Sequence, residues 1–119
     1  MGQFSVVVTV AHPTDPQRAA EVELLVDSGA TLSCVPREVL ERLGVPRLPR
    51  RSFLVAEGRT IQRDTAGAVV RLNGSEAIVT LVVAEPGDGQ RLGATSLESL
   101  GFAVDPIRRR LVPQELLAM

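Results

Sequence analysis

The sequence predicts an all-β fold with one or two short helices, a sandwich or barrel assembled from short strands. Three observations carry that prediction. Short runs of β-branched and apolar residues recur along the chain, clusters of Gly and Pro separate them, and Asn73-Gly74 stands between two such runs as the dipeptide of a tight hairpin. A length of 119 residues suits a single domain spanning 1–119, long enough to bury a core and too short for two.

Taken in order, Phe4 to Val10 and Glu21 to Val26 are the first two strands. They are joined by HPTDPQR, whose two prolines and Asp15 are turn chemistry and which holds the chain's one histidine, His12. PREVLERLG then reads as a short helix, with Pro36 at its first position, Val39, Leu40 and Leu43 on one face, a Glu38/Arg42 pair, and Gly44 as terminator. RLPRR reads as a linker. Phe53 to Ala56 and Thr60 to Arg63 flank Glu57-Gly58, a plausible tight turn, and Ala68 to Leu72 and Ala77 to Val83 flank Asn73-Gly74. After the loop EPGDGQ comes a second passage from strand to helix, in which Thr95 and Glu98 have the spacing of a capping box before LESLG. FAVDPIRRRLVP forms a last hairpin, with Asp105-Pro106 opening its turn and Arg108 to Arg110 solvated, and the ending QELLAM shows no strand pattern. A faint echo runs through the chain: Gly29-Ala30-Thr31 and Gly93-Ala94-Thr95 each lie between a strand and a helix, hinting at two similar halves about a local twofold axis.

Composition narrows the function. The net charge of -1 comes from interspersed Arg and acidic residues, so no field of one sign attracts nucleic acid or a membrane surface. With no apolar run near the roughly 18 residues of a membrane span and no basic-then-apolar leader, the expectation is a soluble, cytoplasmic protein. One cysteine and one histidine build neither an internal disulfide nor a cysteine/histidine zinc site, so no metal or other cofactor is expected. Cys34, inside LSCVP, reads as a small buried hydrophobe rather than a nucleophile served by His12.

One stretch stands apart. In LLVDSGAT an apolar run enters an ionisable Asp27, followed by small residues and a return to hydrophobicity. On its own Asp-Ser-Gly is ordinary turn or cap chemistry, as it would be in an unrelated small β-barrel. Its context is more specific: the lead-in Val22 to Val26, the continuation Ala30-Thr31, a later Leu-Gly-x-x-x-Leu segment, and a Gly-Phe-x-Val-Asp-Pro run. Together these resemble the retropepsin-like aspartic proteases, the single-domain relatives of the retroviral proteases, over nearly the whole chain from Glu21 to Pro113. The matching pieces are LLVDSGAT for the catalytic loop, VPREVLERLG for the helix after it, VAEGRT for the flap, and LGATSLESLGFAVDP for the glycine turn and closing helix. Arg91 is a departure, standing where such proteins usually carry an apolar residue.

The resemblance implies a closed β-barrel with one lobe per chain, a catalytic loop at 27–31, a flap hairpin at about 53–63, and a glycine turn with closing helix at about 92–101. It implies an aspartic endopeptidase. Hydrolysis without a metal needs one carboxylate to take a proton from water and one carboxylic acid to protonate the substrate carbonyl. This chain offers one Asp-Ser-Gly, so the resemblance implies a homodimer that joins two Asp27 side chains over a peptide or protein substrate. Asp27 would be catalytic; Ser28, Gly29, Ala30 and Thr31 would support the loop; Ala56, Glu57 and Gly58 would form the flap tip over the substrate. The alternative is the same fold used as a peptide-binding or dimerisation module with weak or no hydrolysis.

Overall fold

The computed structural model describes residues 3–115 and shows nine strands and two short helices among them. Strands β1 (Ser5–Ala11) and β2 (Ala19–Val26) form the first hairpin, with Ser5 opposite Leu25 and Ala11 opposite Ala19. Their alternation is the period of a strand with one face in the core: Val22, Leu24 and Val26 are buried while Glu21 and Glu23 are exposed. Strand β3 (Ser33–Pro36) runs straight into helix α1 (Arg37–Leu43). Val39, Leu40 and Leu43 are buried as expected, and Gly44 in the left-handed conformation ends the helix, with its own N–H on the Glu41 carbonyl and the Val45 N–H on that of Leu40. Pro36 stands one position earlier than expected, as the last residue of β3 and the helix cap. The ion pair within α1 is Arg37 with Glu41 at 3.2 Å; among the described residues Glu38 and Arg42 do not pair with each other.

Strand β4 (Arg47–Leu54) and the long β5 (Thr60–Leu72) make the second hairpin, and β5 with β6 (Ser75–Ala84) the third. Asn73 and Gly74 both have positive φ, 52° and 82°, as the two central residues of the expected hairpin turn require. Arg47 to Arg51, expected as a linker, is the first half of β4. This edge strand accommodates Pro49 by slipping register between Leu48 and Arg51, and the Thr65 hydroxyl donates to the Pro49 carbonyl at 3.0 Å. The short β7 (Arg91–Leu92) leads into α2 (Ala94–Leu100), and β8 (Phe102–Asp105) with β9 (Arg110–Pro113) forms the closing ribbon. There the Asp105 carboxylate accepts the N–H groups of Ile107 and Arg108, with Arg108 to Arg110 exposed. The expected capping box is absent: Gly93 is the N-cap of α2 and Thr95 lies inside the helix, with no side chain capping its start. Of the QELLAM ending, Gln114 and Glu115 are not in a strand, and 116–119 lie outside the described residues.

The main sheet runs β1-β2-β7-β3-β6-β5-β4, and β5 pairs a second time with β1, Val10 opposite Val70, so the sheet curls back onto its first strand. Inside lie Val8, Val10, Leu24, Val35, Leu40, Val70, Leu81, Val83 and Leu92, with Leu97 and Leu100 of α2 closing one end. Among the described residues β4 is paired with β5 alone, so the hairpin it makes projects beyond this closed circuit. No helix among the described residues is long and apolar enough to cross a membrane.

Candidate active site

Two parallel pairings set the geometry around Asp27. β2 lies beside β7, Leu25 opposite Arg91 and Val26 opposite Leu92, and β3 lies beside β6, Ser33 opposite Leu81. The loop between β2 and β3 is therefore clasped by the passage from β7 to α2. The Asp27 N–H donates to the Leu92 carbonyl at 3.0 Å, the Ala94 N–H to Ala30 at 2.7 Å, and the Thr95 N–H to Thr31 at 3.0 Å. The two Gly-Ala-Thr segments thus lie against each other, joined through their backbones. Gly93 makes this possible by its smallness: a Cβ there would meet the Leu32 carbonyl carbon at 2.6 Å and the Ala30 oxygen at 2.8 Å.

A buried pair of hydroxyls fastens the same junction. Ser33 and Ser96, fully buried, share a 2.7 Å hydrogen bond, and the Ser33 oxygen also accepts the Gly93 N–H at 2.9 Å. Neither serine was singled out by the sequence, in which they stand 63 positions apart. Ser33→Ala leaves both the Gly93 N–H and the Ser96 hydroxyl without a partner in a buried site and is expected to cost roughly 2–3 kcal/mol, against about 1 for Ser96→Ala. Urea unfolding of the two variants measures the difference, and equal costs would show that the Gly93 N–H finds another acceptor.

On this base the Asp27 carboxylate stands at the end of β2, facing outward after the buried Val26. Its Oδ1 accepts the Gly29 N–H at 3.0 Å, and its Oδ2 accepts from the Arg91 guanidinium at 2.8 Å. The side chains of Asp27 and Arg91 remain 32% and 40% exposed. Arg91 faces outward by strand alternation, because the next residue, Leu92, is fully buried. Beside them Cys34 is opposite Arg91 across β3 and β7; burial pushes its thiol pKa up, so the neutral form that suits a packing residue is favoured. Arg63 and Asp88 form a bidentate pair at 2.7 and 2.8 Å, which holds the Asp88 carboxyl below the usual carboxylate range, and Asp88 also accepts the Glu85 N–H at 2.7 Å.

Of the loop residues expected to support Asp27, Gly29, Ala30 and Thr31 make the backbone contacts above, whereas Ser28 is exposed. Ala56, Glu57 and Gly58 form the tip between β4 and β5. The Gly58 N–H donates to Val55, the Val55 N–H to Arg59, and Glu57 pairs with Arg59, so the described polar contacts of this tip stay within it. His12 bonds to Thr14 in its own loop, remote in sequence and in bonding from Cys34. Among the described residues no three His, Cys, Asp or Glu side chains cluster as metal ligands would. A surface hollow of about 470 Å³ lies between α1 and the 84–90 loop and is not lined by Asp27.

Comparison with known proteins bears on the family and the fold. No curated protein sequence matches the chain. Among solved structures, the EIAV protease in complex with an inhibitor superposes with a TM-score of 0.62 at 18% identity, covering 84% of this chain and 89% of that one. A retropepsin-like aspartic protease from Rickettsia conorii superposes with a TM-score of 0.54 at 20% identity, covering 87% and 88%. These likenesses establish a retropepsin-like fold, and the reading of Asp-Ser-Gly as a turn in an unrelated barrel falls away. Residues 18–98 match the sequence family described as gag-polyprotein putative aspartyl protease, a span that includes the Asp27 loop, the β4–β5 hairpin and Gly93, and the chain belongs to that family.

Proposed function

We propose that the protein is an aspartic endopeptidase that works as a homodimer, two copies bringing their Asp27 loops together on a twofold axis. The observation that carries this reading is the Asp27 carboxylate itself. One oxygen is fixed by the Gly29 N–H, the other is held by the Arg91 guanidinium, the side chain stays about one third exposed, and the whole loop is welded to the passage from β7 to α2 by backbone hydrogen bonds. A group that must meet its twin within a few ångströms needs a foundation of this rigidity.

In the dimer the two like charges share one proton, so one Asp27 is a base that activates water and the other an acid that protonates the scissile carbonyl. Ser28, exposed in the single chain, faces the neighbouring loop and ties the pair together. The substrate lies extended between the Asp27 loops and the β4–β5 hairpins as an added strand, and the tips at Ala56, Glu57 and Gly58 close over it to exclude water. A cytoplasmic setting, with neither nucleic acid nor membrane as partner, goes with this reading on the strength of the composition.

Because each site needs two chains, specific activity on a denatured protein substrate falls on dilution, in step with the dimer fraction measured by sedimentation. Constant specific activity from a monomer would overturn the homodimer, and no cleavage at any concentration would overturn the peptidase. One observation favours the second reading, a binding module of weak activity: Arg91 occupies the Asp27 oxygen that water would need.

A further inference from the structure

Resting on the peptidase reading, we propose that Arg91 selects substrates: the site prefers peptides with an acidic side chain next to the scissile bond. The first argument is position. Arg91 has its backbone locked between β2 and β3, and its guanidinium lies 2.8 Å from the Asp27 carboxylate, so any chain lying over Asp27 also lies over Arg91. A guanidinium offers five N–H donors in a planar fork suited to carboxylates. Among the described residues Asp27 is its one acceptor, while the neighbouring Arg63 and Asp88 satisfy each other.

The second argument is charge balance. In one chain Arg91 and Asp27 cancel. Two copies that share a proton between their Asp27 side chains carry one negative charge against two guanidiniums, leaving one positive charge in a cleft from which the closed flaps exclude water. A carboxylate on the substrate restores neutrality. It also draws Arg91 off the Asp27 Oδ2, releasing that oxygen to water, so the acidic substrate both binds the cation and uncovers the base. A substrate with a neutral side chain there leaves the guanidinium uncompensated or still seated on Asp27, which is discrimination by an unmet charge.

The test compares peptides that differ only in Glu against Gln at the residues flanking the cleaved bond. The wild-type protein is expected to favour Glu in kcat/KM by about 10- to 100-fold, the range of a charge-assisted hydrogen bond. Arg91→Leu brings the ratio to about one, Arg91→Lys retains part of it, and Arg91→Glu turns the preference toward Lys, which a purely structural role would not do. Circular dichroism identifies any variant that fails to fold, and the Arg91→Lys ratio then decides. Glu and Gln peptides cut equally well by the wild type would overturn the inference and leave the peptidase standing. Should the wild type cut nothing, the peptidase reading fails, and binding of the same uncut peptides decides the role of Arg91: tighter binding of the Glu peptides supports it, equal binding overturns it.

Discussion

Asp27→Asn is expected to abolish cleavage of a denatured, mixed-sequence protein while the protein folds and dimerises like its parent. Asn has nearly the shape of Asp, and its carbonyl oxygen still accepts the Gly29 N–H that fixes Oδ1 at 3.0 Å. In the proposed homodimer what is lost is the ionisable group, on both protomers at once, so no base would remain to take a proton from water and no acid to give one to the carbonyl. Either function alone is worth about 10²- to 10⁴-fold, so a loss of about 10³-fold or more in kcat is the expected reading. The side-chain amide would place a donor against the Arg91 guanidinium, which then turns out to solvent. That pair is substantially exposed, so its loss shifts the unfolding midpoint little. A folded Asp27→Asn protein with activity near that of the parent would remove Asp27 from the mechanism.

Gly93→Ala tests the junction beneath. Its backbone, φ -94° and ψ 177°, is open to any residue, so only space is at issue. The added methyl would stand 2.6 to 2.8 Å from three backbone atoms of Ala30 and Leu32, none of which can rotate away as a side-chain end could. Relief requires the β7–α2 passage to separate from the Asp27 loop, straining the hydrogen bonds at Ala94 and Thr95 and the Gly93 N–H on Ser33. A cost of roughly 3 kcal/mol or more is expected from denaturant unfolding. Gly67→Ala is the control, since its methyl meets nothing closer than a Leu48 side-chain carbon at 3.8 Å. If the two substitutions cost the same, the close approach at Gly93 carries no special weight. Because the displaced segment holds Asp27 in place, activity falls with stability in the first variant and not in the second.

Much of this architecture was legible in the sequence because its signals are local. Asn73-Gly74 supplies positive φ where a tight hairpin needs it, Gly44 stops its helix, and the apolar run Val22 to Val26 gives the strand that leads into Asp27. The misses are of two kinds. Arg47 to Arg51 has the sequence of a linker because its polar side chains and Pro49 hide strand character that a register slip and the Thr65 hydroxyl sustain. Thr95 and Glu98 satisfied the spacing of a capping box, yet the hydrogen bonds of Ala94 and Thr95 to the opposite loop push the helix start back to Gly93. The other kind concerns partners far apart in the chain. Arg91 was visible as a departure, but its contact with Asp27 lies 64 positions away, and the bond of Ser33 with Ser96 spans 63. No local pattern encodes such a meeting; it follows from parallel strands laid side by side.

Those parallel strands also govern when the site can come into being. Hairpins β1–β2 and β5–β6 join neighbouring segments and can zip as soon as they exist, but β7 must find its seat between β2 and β3 after the intervening chain has been ordered. Closing so long a loop is entropically slow, which places such topologies toward the millisecond-to-second end of folding rates. During synthesis from the N-terminus, Asp27 leaves the ribosome ahead of the backbone groups of Leu92, Ala94 and Thr95 that organise its loop, which follow some 65 or more residues later. A nascent chain therefore carries the aspartate long before it carries the site, and the loop around Asp27 is organised only once the segment through Thr95 has been made.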